Sequence, residues 1–406
     1  MSKVNHYVSA VNPCAAPVSS DEAANFLEAQ ARITWASTVA SCLDTLKVSF
    51  WVNWCDSKIL EQLEEAKQAA QANEFESEPI DLAGHTFNCH RTGTKLFNYR
   101  LVKGDVKLLF HSRSHESTRP NARLEIGSMS CWVPGYQKNY DEFIKLVELL
   151  GGVVVKERVS EAHLCADFIG VAIDDLPVYN EDYWITLAHA FSYRSNRRKF
   201  SYISWGKGDL MLRIYDKVLE LEHNSNKKEL FLDVWGLDSL EGAAVTRVEY
   251  QIRRPVFSSF KPKVNTLEDL KDSLKALWGY CSAEWTRLVE KPVDRNHHQS
   301  RAVIHPWWQQ VQATEWEGNK FIERGKDYTR KDMERISKIL AGSGMSIAAQ
   351  SITFPDDFEK VISVAKTNLE ENLRKMATTD PGLFVKKMAR KINEVHRPFK
   401  TAEADQ

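Results

Sequence analysis

The chain has 406 residues, of which 43% are hydrophobic and 27% charged, and its formal net charge is −1. This composition belongs to a folded protein of two or three domains and excludes a largely disordered or uniformly basic polypeptide. Seven cysteines without a CxxC pair argue against a disulfide scaffold or a zinc ribbon.

In chain order, the first prediction is a helix after Ser19-Ser20, with Asp21 and Glu22 in its first turn. It forms an N-terminal arm over residues 1–45. Residues 46–265 read as an α+β catalytic domain with a largely antiparallel sheet and flanking helices. Strands are expected over 47–54, 95–101, 106–110, 123–126, 153–158 and 165–173, with Lys103-Gly104-Asp105 as a hairpin-like turn. Helices are expected over 56–73, where Ile59, Leu60, Leu63, Ala66 and Ala70 share a face, over 140–150 before Gly151-Gly152, and over 181–191. Residues 266–406 change character to a mostly helical DNA-binding or oligomerisation region. Thr266 with Asp269 resembles a capping box, and apolar residues from Leu267 through Trp285 to Leu288 recur at helical spacing. Further helices are predicted over 329–340, 356–376 and 383–395.

Charge is partitioned along the chain. Residues 191–220 carry a net +4, residues 56–81 a net −6 and residues 381–400 a net +5. Basic surfaces therefore exist for phosphate contact, although each run also reads as a solvated face. With no charged-then-apolar leader and no run of about eighteen apolar residues, a cytosolic protein without a membrane partner is expected.

The most informative stretch is 212–220. As a strand it sets Arg213, Tyr215 and Lys217 on one face. A phenol flanked by two cations suits a tyrosine whose hydroxyl acts near a phosphate. Three other strands echo it. Residues 245–253 alternate Arg247, Glu249, Gln251 and Arg253 outward with Val248, Tyr250 and Ile252 inward, a half-buried pattern. Arg123 and Glu125 point outward from 122–127, and Asp167 interrupts an apolar strand.

If these strands are neighbours, Glu125, Asp167 and Glu249 converge beside Tyr215. They would then hold Mg2+ or Mn2+ against a phosphate oxygen. Each carboxylate also reads as the ion-pair partner of a nearby arginine. Tyr202 is a second candidate nucleophile, beside Arg197, Arg198 and Lys199. With Lys207, Arg213 and Arg247, those three are the candidate DNA contacts. His297, His298 and His305 lack the spacing of a metal site and are expected in a surface loop. Trp205, Trp307 and Trp308 are the candidate platforms for unpaired bases, although most tryptophans pack first. No GxxxxGK[ST] occurs, so ATP hydrolysis is not indicated.

Arg213-Ile214-Tyr215-Asp216-Lys217 with Glu220, preceded by Trp205-Gly206-Lys207-Gly208-Asp209, resembles the signature of the replication initiation factor family. These are the transesterase-type rolling-circle initiators of plasmids and filamentous phages. Arg123-Leu124-Glu125-Ile126-Gly127, Cys165-Ala166-Asp167, Thr246-Arg247-Val248-Glu249, Asp294 to Trp308 and the 342–349 segment resemble further family blocks in order, over roughly residues 95–350.

The resemblance implies a cytoplasmic protein of a bacterial host that binds a replication origin, in double-stranded and locally single-stranded form, and nicks one strand. A tyrosine would become joined to the 5′ phosphate, leaving a 3′-OH for a polymerase, and would later rejoin the strand. It assigns Tyr215 as nucleophile, Lys217 and Arg213 as phosphate-side cations, and Asp167, Glu249 and Glu125 as metal ligands. Host helicase and polymerase, and a second copy in a homodimer, are the implied protein partners. The His-hydrophobic-His triplet of the broader nicking superfamily is missing, so any metal site must be mostly carboxylate. Two other readings stay open: a sequence-specific DNA-binding protein without catalysis, and a relaxase or transposase with the same tyrosine chemistry.

Overall fold

The computed structural model describes residues 38–72, 76–196, 199–223, 225–293, 299–324, 330–350 and 357–396. The helix expected around Asp21 and Glu22, and the pair His297 and His298, lie outside these residues. The fold is α+β, built on an antiparallel sheet of eleven strands. Its strands are β1 (Thr38–Trp54), β2 (Ser77–Leu82), β3 (His85–His90), β4 (Tyr99–Lys103), β5 (Val106–Phe110), β6 (Ala122–Ile126), β7 (Gly152–Ile169), β9 (Phe191–Asn196), β10 (Lys199–Trp205), β11 (Leu210–Asp216) and β12 (Val245–Arg253). The short strand β8 (Trp184–Thr186) lies outside it and pairs with β13 (Thr286–Leu288). The order across the large sheet is β2-β3-β4-β5-β6-β1-β7-β12-β11-β10-β9.

Two long strands make this sheet possible. β1 and β7 run 17 and 18 residues and pair along most of their length, with bulges that bend the pair. β7 therefore replaces the two separate strands expected over 153–158 and 165–173. Helix α1 (Lys58–Ala72) buries Ile59, Leu63 and Ala70, and α2 (Tyr136–Leu149) sets Phe143 4.8 Å from the Phe50 ring of β1.

At the other half of the sheet, β12 is buried through Gln251 on both faces rather than half-exposed. One face is apolar. Tyr250 meets Trp278 of α5 (Leu267–Gly279) edge-on at 5.3 Å, and Phe168 meets Trp307 of α6 (Pro306–Gln312) at 5.7 Å. The polar face is roofed by Trp132, by α3 (Lys217–His223) and by α4 (Lys228–Trp235), whose Leu221, Phe231 and Trp235 form an apolar cluster with Val218 and Val245.

Several expectations change for tertiary reasons. The helix expected over 181–191 is a short 3-10 turn, Glu181–Tyr183, followed by β8 and the start of β9. After Gly279 the helical course continues as a π-helical segment, Tyr280–Trp285, and ends there because Thr286–Leu288 pairs with β8, short of the predicted Leu288. Trp205, Trp307 and Trp308 are buried, because their indole area is worth more inside the core than at a surface. His305 is buried as well. Its Nδ1 accepts the Trp307 N–H at the start of α6, and burial pulls its pKa down to about 4.

The chain divides into two compact units, one running to Ser258 and resuming over Val264–Phe321, the other made of Ser259–Lys263 with Ile322 onward. The second holds α7 (Arg330–Ala348), α8 (Phe358–Thr379) and α9 (Pro381–His396), so the sheet is followed by a helical C-terminal region. Among the described residues no helix is long and apolar enough to cross a membrane.

The predicted capping box is present: Thr266 accepts the Asp269 N–H at 3.0 Å and the Asp269 carboxylate accepts the Thr266 N–H at 3.1 Å. Thr266→Ala should lower stability by about 1 kcal/mol in urea unfolding. An unchanged midpoint would contradict a load on this cap.

Candidate functional site

Strand pairing decides which residues meet. β11 lies between β10 and β12, so Tyr215 faces Tyr202 on one side and Arg247 on the other, while Arg213 faces Glu249. Tyr215, Tyr202 and Arg213, with Arg194, Asp216 and Glu249, line an open cleft of about 420 Å3. A larger groove of about 1250 Å3, along α2 and the first half of β7, holds none of the candidate catalytic, DNA-binding or metal residues.

Glu249 is the centre of the site. It is 3% exposed, and its Oε2 accepts the Tyr215 hydroxyl at 3.0 Å. Its Oε1 accepts Arg213 Nη1 at 2.7 Å and lies 3.0 Å from His163 Nδ1. Burial alone would raise the Glu249 carboxyl. The bond and charge of His163, then the charges of Arg213 and Arg247, hold it well below the ordinary carboxylate range. Tyr215 moves the other way: burial first, then the Glu249 charge, push its phenol well above 10.

A row of charges continues from this centre. His163 Nε2 lies 3.0 Å from Glu161, which also accepts Lys47 at 3.1 Å and Arg253 at 3.1 Å. Burial opposes ionisation of Glu161, but bonds from His163 and Lys47 bring it down to about 2. His163 is itself raised; burial disfavours its charge, yet Glu161 and Glu249 outweigh that penalty.

Arg247 and Asp167, expected as a DNA contact and a metal ligand, instead form a buried ion pair with both residues at 0% exposure. Arg247 donates from Nε to Asp167 Oδ1 at 2.6 Å and from Nη2 to Oδ2 at 2.8 Å, and its Nη1 reaches Asp44 at 2.6 Å. Trp235 Nε1 donates to Asp167 Oδ2 at 2.8 Å. A guanidinium enclosed in this way is a structural cation, out of reach of DNA.

Lys217 is not on the strand. The chain turns at Asp216, whose carboxylate accepts the Leu219 N–H, and Lys217 opens α3. It is 1% exposed, bonded to Glu220 at 2.5 Å and set 4.6 Å from the Phe231 ring centre. Burial, then the charge of Arg247, lower its pKa. It stands behind the Tyr215 ring, 5.7 Å from its centre, rather than in the cleft.

The three expected metal ligands do not gather. Glu125 sits on β6, separated from β12 by β1 and β7, hence about 14 Å away at ordinary strand spacing. It pairs with Arg123 at 3.6 Å. The oxygens of Asp167 and Glu249 are taken by the donors already named. Hard divalent cations need oxygens turned toward them, so this trio does not fit a metal. Among the described residues no group of three or more His, Cys, Asp or Glu is arranged to hold one.

Of the remaining expected DNA contacts, Arg213 is in the cleft and Lys207 is exposed in the β10–β11 turn. Lys199 opens β10, and Arg197 and Arg198 lie outside the described residues. Sequence reasoning missed Arg194, whose guanidinium lies 5.2 Å over the Tyr202 ring, and His163. His163 shares the strand period of Cys165 and Asp167, a signal that was present.

The chain matches no protein-family model and no curated protein.

Asp167→Ala leaves a buried guanidinium half-paired and should cost about 3–5 kcal/mol of stability in urea unfolding. A wild-type midpoint would contradict the structural role. Glu161 is depressed in the folded state, so its contribution is present above its unfolded value of 4.5 and lost as pH falls toward about 2. Glu161→Gln should flatten the stability loss in that window; an unchanged acid limb would remove Glu161 from the network.

Proposed function

We propose that the protein nicks and rejoins one DNA strand to initiate rolling-circle replication, with Tyr215 as the attacking residue. The observation that carries this reading is the Tyr215 hydroxyl, 3.0 Å from the ionised, buried Glu249 on the wall of an open cleft that also presents Arg213 and Arg194. The family resemblance of the 213–217 segment supports the same chemistry.

In this mechanism the phenol stays protonated at rest, because burial and Glu249 oppose the phenolate. The Tyr215 oxygen attacks the scissile phosphorus in line as its proton passes to Glu249, and transfer becomes favourable only as the oxygen–phosphorus bond forms. The phosphorus–O3′ bond breaks, and the departing oxygen takes a proton from water. One strand end then carries a 3′-OH and the other a 5′-phosphotyrosyl ester. Arg213 and Arg194 are the cations placed to oppose charge on the phosphoryl oxygens. Rejoining runs in reverse: the 3′-OH attacks, and the leaving Tyr215 oxygen recovers its proton from Glu249. One phosphodiester replaces another at each step, so no nucleotide is consumed.

Tyr202 supports a second reading. It stands opposite Tyr215 in the same cleft, and its hydroxyl has no hydrogen-bond partner among the described residues. It lacks the carboxylate base that Tyr215 possesses, which favours Tyr215.

The test is incubation with supercoiled DNA carrying the protein's own coding region and flanks, with Mg2+ or Mn2+ supplied. Relaxed DNA bearing covalent, protease-sensitive protein is expected. Tyr215→Phe should abolish the adduct while sparing DNA affinity, and Glu249→Gln should slow cleavage by about 10²- to 10⁴-fold. Tight binding without any nick would instead make this a DNA-binding protein without catalysis. Cleavage at a transfer origin or an element end would identify a relaxase or transposase.

A further inference from the structure

The outer hairpin of the sheet carries an aromatic row on the face away from the cleft. Arg194 and Tyr202 are register partners on the cleft side; one residue earlier in β9, Tyr193 faces Ile203 on the other side. A bulge at Ser201 then changes the alternation. It pairs Phe200 with Ser195, bringing Phe200 to the side of Tyr193. The rings respond to that placement. Phe200 lies 5.7 Å from Tyr193, edge to face, and stacks on Tyr179 at 4.3 Å with planes 2° apart. Behind Tyr193 the row continues inward through Phe191 to the buried Trp205.

Tyr193 and Tyr179 are 57% and 42% exposed, so the outer end of the row meets solvent. β9 is the last strand of the sheet, so its open edge lies between the row on one face and Arg194 of the cleft on the other. Two exposed cations border the hairpin: Arg194 on the cleft side and Lys207 in the turn after Trp205.

We infer that Tyr193, Phe200 and Tyr179 form a stacking platform for unpaired bases of single-stranded DNA leaving the cleft over the β9 edge. Flat rings beside an open sheet edge suit nucleobases, since every base offers a π face, and Arg194 and Lys207 are the cations alongside for the backbone. A protein strand adding to the open β9 edge would be held by backbone hydrogen bonds and would not depend on these rings. The inference rests on the cleft acting on DNA. Its assay measures binding without cleavage, so its failure leaves the nicking test untouched.

The full chain is titrated with a fluorescent 16-mer of oligo(dT) and with an abasic 16-mer of equal phosphate content, followed by anisotropy. Tighter binding of oligo(dT) by about tenfold is expected. Tyr193→Leu should weaken oligo(dT) binding about fivefold or more, in the range of one lost base stack, and leave the abasic strand unaffected. Tyr193→Phe keeps the ring and should retain wild-type affinity, which separates stacking from bulk. Equal affinity for the two oligonucleotides, or wild-type oligo(dT) affinity in Tyr193→Leu, would overturn the inference.

Discussion

A single enclosed guanidinium holds this arrangement together. Arg247 gives three charge-assisted bonds to Asp167 and Asp44 and lies near the faces of Trp132 and Phe231, 5.6 and 4.8 Å from their ring centres. Such a group is costly to dehydrate and tolerable only while every partner stays in place. It therefore ties β12 to β7 and to the bulged stretch of β1 that carries Asp44. Tyr215 is its register partner on β11, and Glu249 follows two residues along the same strand. The phenol and its acceptor are positioned by a contact that never reaches the cleft.

The same logic explains an ionised carboxylate in a buried position. Glu249 stays charged because Arg213 and His163 both bond to it, and Glu161 on the far side of His163 helps raise that imidazole's pKa against the penalty of burial. Lys47 and Arg253 complete the row at the solvent-facing end, with Lys47 only 28% exposed along its side chain. Positive and negative groups alternate across four strands, so each stabilises the ionised form of the next. The site is thus a terminus of a polar layer, not an isolated pair.

Strand alternation was enough to reveal the α+β character and the shared face of Arg213 and Tyr215, and Thr266-to-Asp269 spacing revealed a cap. Partners were another matter. Alternation says which face a residue takes but not which strand lies beside it, and Asp167 meets Arg247 only because β7 pairs with β12 in one register. Three carboxylates that looked equivalent separated into an ion pair, a hub and a residue three strands away. Lys217 was placed on the strand because the alternating pattern runs on past Asp216. Asp216 was nevertheless a helix-capping signal, and the chain turned there. Phe200 reaches the side of the exposed Tyr193 through a bulge, which no periodic pattern marks.

In the proposed mechanism the Tyr215 oxygen bonds to phosphorus, and peptide mapping of trapped protein–DNA adduct tests this most directly. Trypsin leaves Tyr215 in peptide 214–217 and Tyr202 in peptide 200–207. After nuclease trimming, mass spectrometry should find the nucleotide on 214–217. Nucleotide on 200–207, with 214–217 unmodified, would contradict it.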